Sequence, residues 1–207
     1  MTAADADASF GTQEFIMNDK PHYDAHYTGT AKALHWLMAL LLLGLLALGF
    51  IMSDMPLSPQ KLQMVSWHKW AGVTAFVLVL VRISWRIAHH PPPLPWQMGK
   101  LQQMGAHLGH LALYVLMIAL PISGWLMSSA KGVQTVWFGV LPIPDLLAKD
   151  KALGDVLKEV HESLSWTLIL LLVVHVAAAL KHHLIDKDDI LTRMLPSRQR
   201  HPEPTEQ

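Results

Sequence analysis

The sequence predicts an all-α integral membrane protein, a bundle of four membrane-spanning helices with both termini in the cytoplasm. Three observations lead there. Of 207 residues, 52% are hydrophobic and only 15% charged, with mean hydropathy +0.29, too apolar for an ordinary soluble domain. Apolar segments of about 20 residues recur four times, and at 1.5 Å per residue each matches the roughly 30 Å hydrocarbon core. Four histidines, His35, His68, His161 and His175, fall inside or at the ends of those segments, where an ionisable side chain is costly and usually functional.

The elements follow in order. Residues 1–31 are polar, carry Asp5, Asp7, Glu14, Asp19 and Asp24, and lack the basic-then-apolar order of a signal peptide, so they read as a disordered tail. The first span covers about 33–52, the second 65–85, the third 106–127 and the fourth 162–180. Between the second and third, Pro91, Pro92, Pro93 and Pro95 cannot continue a helix and predict a short stiff loop over 89–105. The third connection, 128–160, holds Pro142 and Pro144. Leu153, Val156, Leu157 and Val160 then share one face and predict a separate short helix at the membrane interface. No repeat of fixed period is evident. The bundle is one domain over 32–195, followed by a disordered tail over 196–207.

Orientation follows from the basic residues near the span ends. Lys20, Lys32, Arg82, Arg86, Lys100, Lys181, Lys187, Arg193, Arg198 and Arg200 lie on the side of both termini, against Lys61, Lys69, Lys131, Lys149, Lys151 and Lys158 opposite. That bias favours cytoplasmic termini in a multi-pass membrane protein. Basic and acidic residues balance at 16 each, so nothing in the charge points to nucleic acid. With no cysteine, disulfides, thiolate ligation, iron-sulfur clusters and covalent haem attachment are excluded.

Depth sorts the four histidines into two pairs. His35 opens the first span and His175 lies near the end of the fourth, on the side of the termini; His68 and His161 lie on the other side. His161 and His175 are 14 residues apart, about 40° short of four full turns, so they share a helix face and are separated by about 21 Å of rise. Lipid cannot satisfy imidazole nitrogens, so that face must look into the bundle. Arg82 stands the same 14 residues beyond His68, which brings a second inward-facing charge to the depth of His35 and His175. A buried guanidinium needs an anionic partner, and a haem propionate is one.

Neutral imidazole is a standard haem ligand, and two axial imidazoles saturate the iron, leaving a centre that exchanges electrons without an open position. The constellation therefore predicts two non-covalent b haems, ligated by His35 with His175 and His68 with His161. Gly72, one turn after His68, leaves room for a porphyrin edge; Ala39, Ser165 and Ala179 at the same offset are also small, as at any packing seam. A zinc, copper or iron ion bound directly by the same histidines is the rival reading, which would normally bring carboxylates to that depth; Glu162 is the exception. His107 and His110 are alternative ligands on the side of the termini, or part of a quinone or proton site there. His182 and His183 follow the fourth span.

These motifs resemble the prokaryotic cytochrome b561 proteins, four-helix membrane cytochromes with two b haems. The matching pieces are His35-Trp36, His68 with Gly72, Gly105-Ala106-His107-Leu108-Gly109-His110, His161-Glu162, His175 followed by Ala177-Ala178-Ala179-Leu180-Lys181-His182-His183, and Asp186-Lys187-Asp188-Asp189 with Arg193-Met194. They recur in order over about 30–195. The resemblance implies the same two axial pairs and electron transfer between membrane quinone, ubiquinone being the candidate, and a donor or acceptor at the outer face. One branch of the family oxidises superoxide there. The roughly 30-residue acidic leader and the long outer connection depart from the pattern and leave that outer partner open. Two other functions fit the residues: a membrane anchor that wires a separate dehydrogenase to quinone, and a histidine-lined metal-ion transporter.

Overall fold

The computed structural model describes residues 27–94 and 98–195; the two expected disordered tails fall almost wholly outside them. Four long helices dominate: α1 (Gly29–Ser53), α2 (Pro59–Ala88), α3 (Lys100–Ala130) and α4 (Lys151–Lys181). Each is long and apolar enough to cross a membrane, α4 together with the turn that follows it. Helix starts are where capping chemistry puts them. Thr28 Oγ1 accepts from Ala31 N, Ser58 Oγ accepts from Lys61 N ahead of Pro59, and Asp150 accepts from Leu153 N. Inside α3, Pro121 removes one backbone donor, yet the helix continues through it.

Burial is inverted relative to a soluble bundle. The core is small, Leu116, Leu120 and Leu168 with Leu42, Leu113, Leu164, Leu171 and Leu172 packed on it, while Leu40 and Leu170 are about two-thirds exposed and face what would be lipid. Between helices in lipid, packing replaces the hydrophobic effect as the cohesive term. α1 packs on α2, α2 on α3, and α3 on α4.

Two sequence expectations change. The third connection is not an irregular segment followed by a separate interfacial helix. Residues 151–160 are the first turns of α4 itself, because Asp150 caps that helix and its backbone N–H donates to the Ala130 carbonyl at 2.8 Å, so α4 starts against the end of α3. Gly154 permits that approach: a Cβ there would lie 2.9 Å from Lys131 Cγ. Ahead of it stands a two-stranded antiparallel hairpin, β1 (Thr135–Trp137) and β2 (Leu141–Ile143), with Thr135 opposite Ile143 and Trp137 opposite Leu141. The fold is helical with this one small sheet among the described residues.

After α4 the chain makes one wide π-helical turn, His182–Asp186, then a short helix, α5 (Ile190–Met194). This segment folds back under the bundle. Lys32 Nζ donates to Leu195 O at 3.1 Å, Trp36 Nε1 to Met194 O at 2.9 Å, and Arg193 Nη1 to Pro93 O at 2.8 Å. The first and last described residues therefore lie at the same end of the bundle.

Candidate functional site

The four histidines face one another across the bundle, His35 on α1 with His175 on α4 and His68 on α2 with His161 on α4. His35 on α1 and His175 on α4 have ring centroids 6.3 Å apart; His68 on α2 and His161 on α4 have theirs 6.2 Å apart. Two imidazoles on opposite sides of one metal ion, each bonded at about 2.0 Å with about 1.1 Å from nitrogen to ring centre, stand roughly 6.2 Å apart. Both separations match that value. Neither pair is close enough for a direct ring–ring hydrogen bond of good geometry.

At the second pair, the surroundings orient one ring. Ser123 on α3 is buried; its hydroxyl donates to Leu120 O at 2.8 Å and lies 2.9 Å from His161 Nδ1. A hydroxyl has one proton and a carbonyl can only accept, so Nδ1 carries the hydrogen and the lone pair is on Nε2. Gly124 crowds the same ring from the side, since a Cβ there would come within 3.2 Å of His161 Cε1. His68 Nδ1 is buried and makes no hydrogen bond of good geometry. At Gly72 an added Cβ would meet nothing within 4 Å, so the position one turn past His68 opens on empty space.

At the first pair, Arg82 is present at the depth its spacing predicts. Its Nη2 lies 3.3 Å from His35 Nδ1, its Nε donates to Tyr114 Oη at 3.1 Å, and its Nη1 is buried without a partner. The guanidinium can only donate, so here His35 Nδ1 accepts and its Nε2 is protonated, the tautomer opposite to that of His161. Arg82 and Arg86 both lie 5.9 Å from the Tyr114 ring centre. A cleft opens beside them toward the end of the bundle, lined by Tyr27, Trp85, His89 and His90 as well as both arginines.

Of the alternative histidines, His110 joins this group. Its ring is 5.5 Å from that of His175, and its Nδ1 donates to Ala106 O at 2.7 Å, leaving Nε2 with the lone pair. His107 donates to Gln103 O and stays exposed. His182 instead pairs with Asp188 at 2.6 Å and Asp186 at 3.2 Å, the one group of three metal-type ligands found close together among the described residues. Lys181 already neutralises Asp186 from 2.6 Å. Sequence reasoning passed over Ser123 and Tyr114; a polar residue in the middle of an apolar span was the available signal for each.

The sequence profile described as Prokaryotic cytochrome b561 matches residues 26–197, most of the chain. The protein belongs to this family. Escherichia coli Cytochrome b561 homolog 2 is 38% identical over 171 residues, covering 82% of this chain and 90% of that protein. The Yersinia pestis protein named Probable superoxide oxidase CybB is 30% identical over 83% of this chain and 97% of its own length, and E. coli Cytochrome b561 homolog 1 is 35% identical over 68% and 80%. As a member of this cytochrome family, the chain is a haem-binding electron-transfer protein, crossing the bacterial inner membrane several times.

Proposed function

We propose that this cytochrome holds two b haems, one between His35 and His175 and one between His68 and His161, and passes single electrons across the membrane between a quinone and a partner at the outer face. The observation that carries the reading is the pair of ring separations, 6.3 and 6.2 Å, each matching two imidazoles on one iron. Two further features support it: the open position at Gly72 and the unpartnered Arg82 Nη1. When bound, a bis-imidazole haem supplies a one-electron iron couple with no open position.

The protein's own groups do the rest. His161 presents its Nε2 lone pair because Ser123 holds the proton on Nδ1. His35 can offer Nε2 only if its Nδ1 takes up the proton, which breaks the acceptor contact with Arg82. The released guanidinium, part-buried and already short of one partner, would then need an anion, and a haem propionate would satisfy it. His110 has a ligand-ready tautomer, but its 5.5 Å distance to His175 is shorter than two ligands of one iron require; it serves better at a proton or quinone site beside the inner haem. The excess of basic residues at the end where the first and last described residues lie favours a cytoplasmic position for that end.

Oxidation of superoxide is the second reading, favoured by the Yersinia relative that this chain matches over nearly its full length. Two superoxide anions would each lose one electron to become dioxygen, and one quinone would take both electrons and two protons to become quinol. The outer lysines are a thin attraction for that anion: Lys61 and Lys69 donate to the Met55 and Val133 carbonyls, while Lys131 and Lys158 pair with Asp155 and Glu162.

The deciding experiment is a redox titration with haem quantitation on the four single His→Ala variants and on His110→Ala. Loss of one spectral component by His35→Ala and His175→Ala, and of the other by His68→Ala and His161→Ala, is the expected result. A shared loss between His35→Ala and His68→Ala, or haem loss in His110→Ala, overturns the pairing. A haem-free preparation with stoichiometric zinc or copper would select the transporter.

A further inference from the structure

We propose that the β1–β2 hairpin and its flanks, residues 133–144, are inserted into the bilayer beside α2, with Phe138 and Val140 among the lipid chains on the side of the membrane opposite the first and last described residues.

Depth is set by what the hairpin touches. Trp70 Nε1 donates to Val136 O at 2.6 Å, and Trp137 Nε1 reaches Trp70 O at 3.2 Å and Thr74 Oγ1 at 3.3 Å. Trp70 and Thr74 lie two and six residues past His68, so along the axis the Trp137 ring sits about 3–9 Å farther into the span than His68. A segment that merely bridged two helix ends in water would not reach that level.

The face it lies on decides what covers its other side. At 100° per residue Trp70 points about 200°, and Thr74 about 240°, away from His68. The buried residues of α2, Ala75 and Val79, share the His68 side. Trp70 instead falls in line with Val77 and Val81, both exposed on the flank of α2 and both apolar. The hairpin therefore rests on the lipid-facing stripe of α2, outside the bundle, and continues an apolar surface that already meets lipid.

Its composition suits that position. From Val133 to Pro144 there is no charged residue, between Lys131 on one side and Asp145 on the other. The turn has Phe138 and Gly139 at its centre, with φ of 50° and 72°, and closes by Val140 N donating to Trp137 O at 3.0 Å. Two positive φ angles are the pattern of the turn for which water-exposed hairpins choose Asn-Gly or Asp-Gly. Phenylalanine pays a steric penalty there that asparagine does not, and its ring is still more than half exposed. The ring packs against those of Trp70 and Trp137, with centroids 5.6 and 5.3 Å away, and lipid covers the face it leaves open. Within the hairpin the strands pair, the turn closes on itself and the Val136 carbonyl accepts from both Gly139 N and the Trp70 indole, pairing backbone groups that lipid would leave unsatisfied.

The absence of cysteine makes the test direct. Val140→Cys, Val77→Cys and Lys151→Cys are each placed in the holoprotein in lipid nanodiscs, with the haem spectrum checking the fold, and treated with a charged, membrane-impermeant maleimide. Reaction needs the thiolate, which lipid disfavours, so Val140→Cys should react roughly tenfold or more slowly than Lys151→Cys and like Val77→Cys, with all three equal after denaturation in detergent. A fluorophore at position 140 should be quenched by lipids brominated near the head of the acyl chain and not by aqueous iodide. Reaction at the Lys151→Cys rate overturns the proposal and leaves the hairpin as a water-exposed surface. Slow reaction without quenching by brominated lipid also overturns it and points to a protein cover.

Discussion

The Ser123 hydroxyl and the His161 imidazole are joined by a 2.9 Å hydrogen bond in which the ring is the donor, because the hydroxyl spends its single proton on the Leu120 carbonyl. A metal-bound histidine that donates its second N–H is held in one orientation and made a better electron donor to the metal. On the proposed ligation, Ser123 would act on the iron through His161.

Removing it should be visible as a potential. In Ser123→Ala the ring loses its acceptor and donates less to ferric iron, so the midpoint of the haem assigned to His68 and His161 should rise. A net hydrogen bond of about 1 kcal/mol corresponds to a few tens of mV for one electron. Ser123→Thr keeps the hydroxyl and should restore the wild-type value, while the other haem stays put in both. A potentiometric titration that finds the two variants alike removes Ser123 from the site.

Arg82 should act on the opposite haem. Loss of a positive charge favours ferric iron, so Arg82→Gln should lower the midpoint of the haem held by His35 and His175 and leave the other nearly unchanged. At an effective dielectric near 20 and a separation of about 8 Å the Coulomb energy is roughly 2 kcal/mol before screening, an upper bound near 90 mV. Two unchanged midpoints would mean that the guanidinium serves only Tyr114 and the membrane surface.

Two glycines separate room for a cofactor from room for a helix. Gly72 faces open space, so Gly72→Phe should leave helix content and membrane insertion intact while the haem at His68 is displaced. Gly124→Val should instead push the His161 ring aside, where a Cβ already comes to 3.2 Å. Circular dichroism with haem quantitation distinguishes these outcomes from simple misfolding. Full haem loading in Gly72→Phe would show that no porphyrin edge lies there.

Stoichiometry is the plainest check. Two haems per chain, both low-spin and both removed by acid–acetone extraction, are expected, since the proposed sites give each iron two imidazoles and no cysteine can form a thioether. A high-spin signal or a single haem in a fully loaded preparation rules out two closed sites.

What the sequence by itself determined is whatever a helix in lipid makes local. Backbone hydrogen bonds must close within the segment, so four apolar runs imply four helices, and a fixed 100° per residue then orients His161, His175, His68 and Arg82 before any fold is known. That is why the encounters of His35 with His175 and His68 with His161 could be anticipated from spacing and depth. Tertiary structure alone decided the contacts made between segments. Thr135 finds Ile143 and Trp70 finds Val136 through non-local pairing that no periodicity in a three-residue strand announces. The first turns of α4 read as a separate helix because their amphipathic pattern is the same either way. Only the Asp150 cap and the approach at Gly154 join them to the span. Ser123 reaches His161 across two helices, a relation set by how α3 and α4 pack rather than by either one's own sequence.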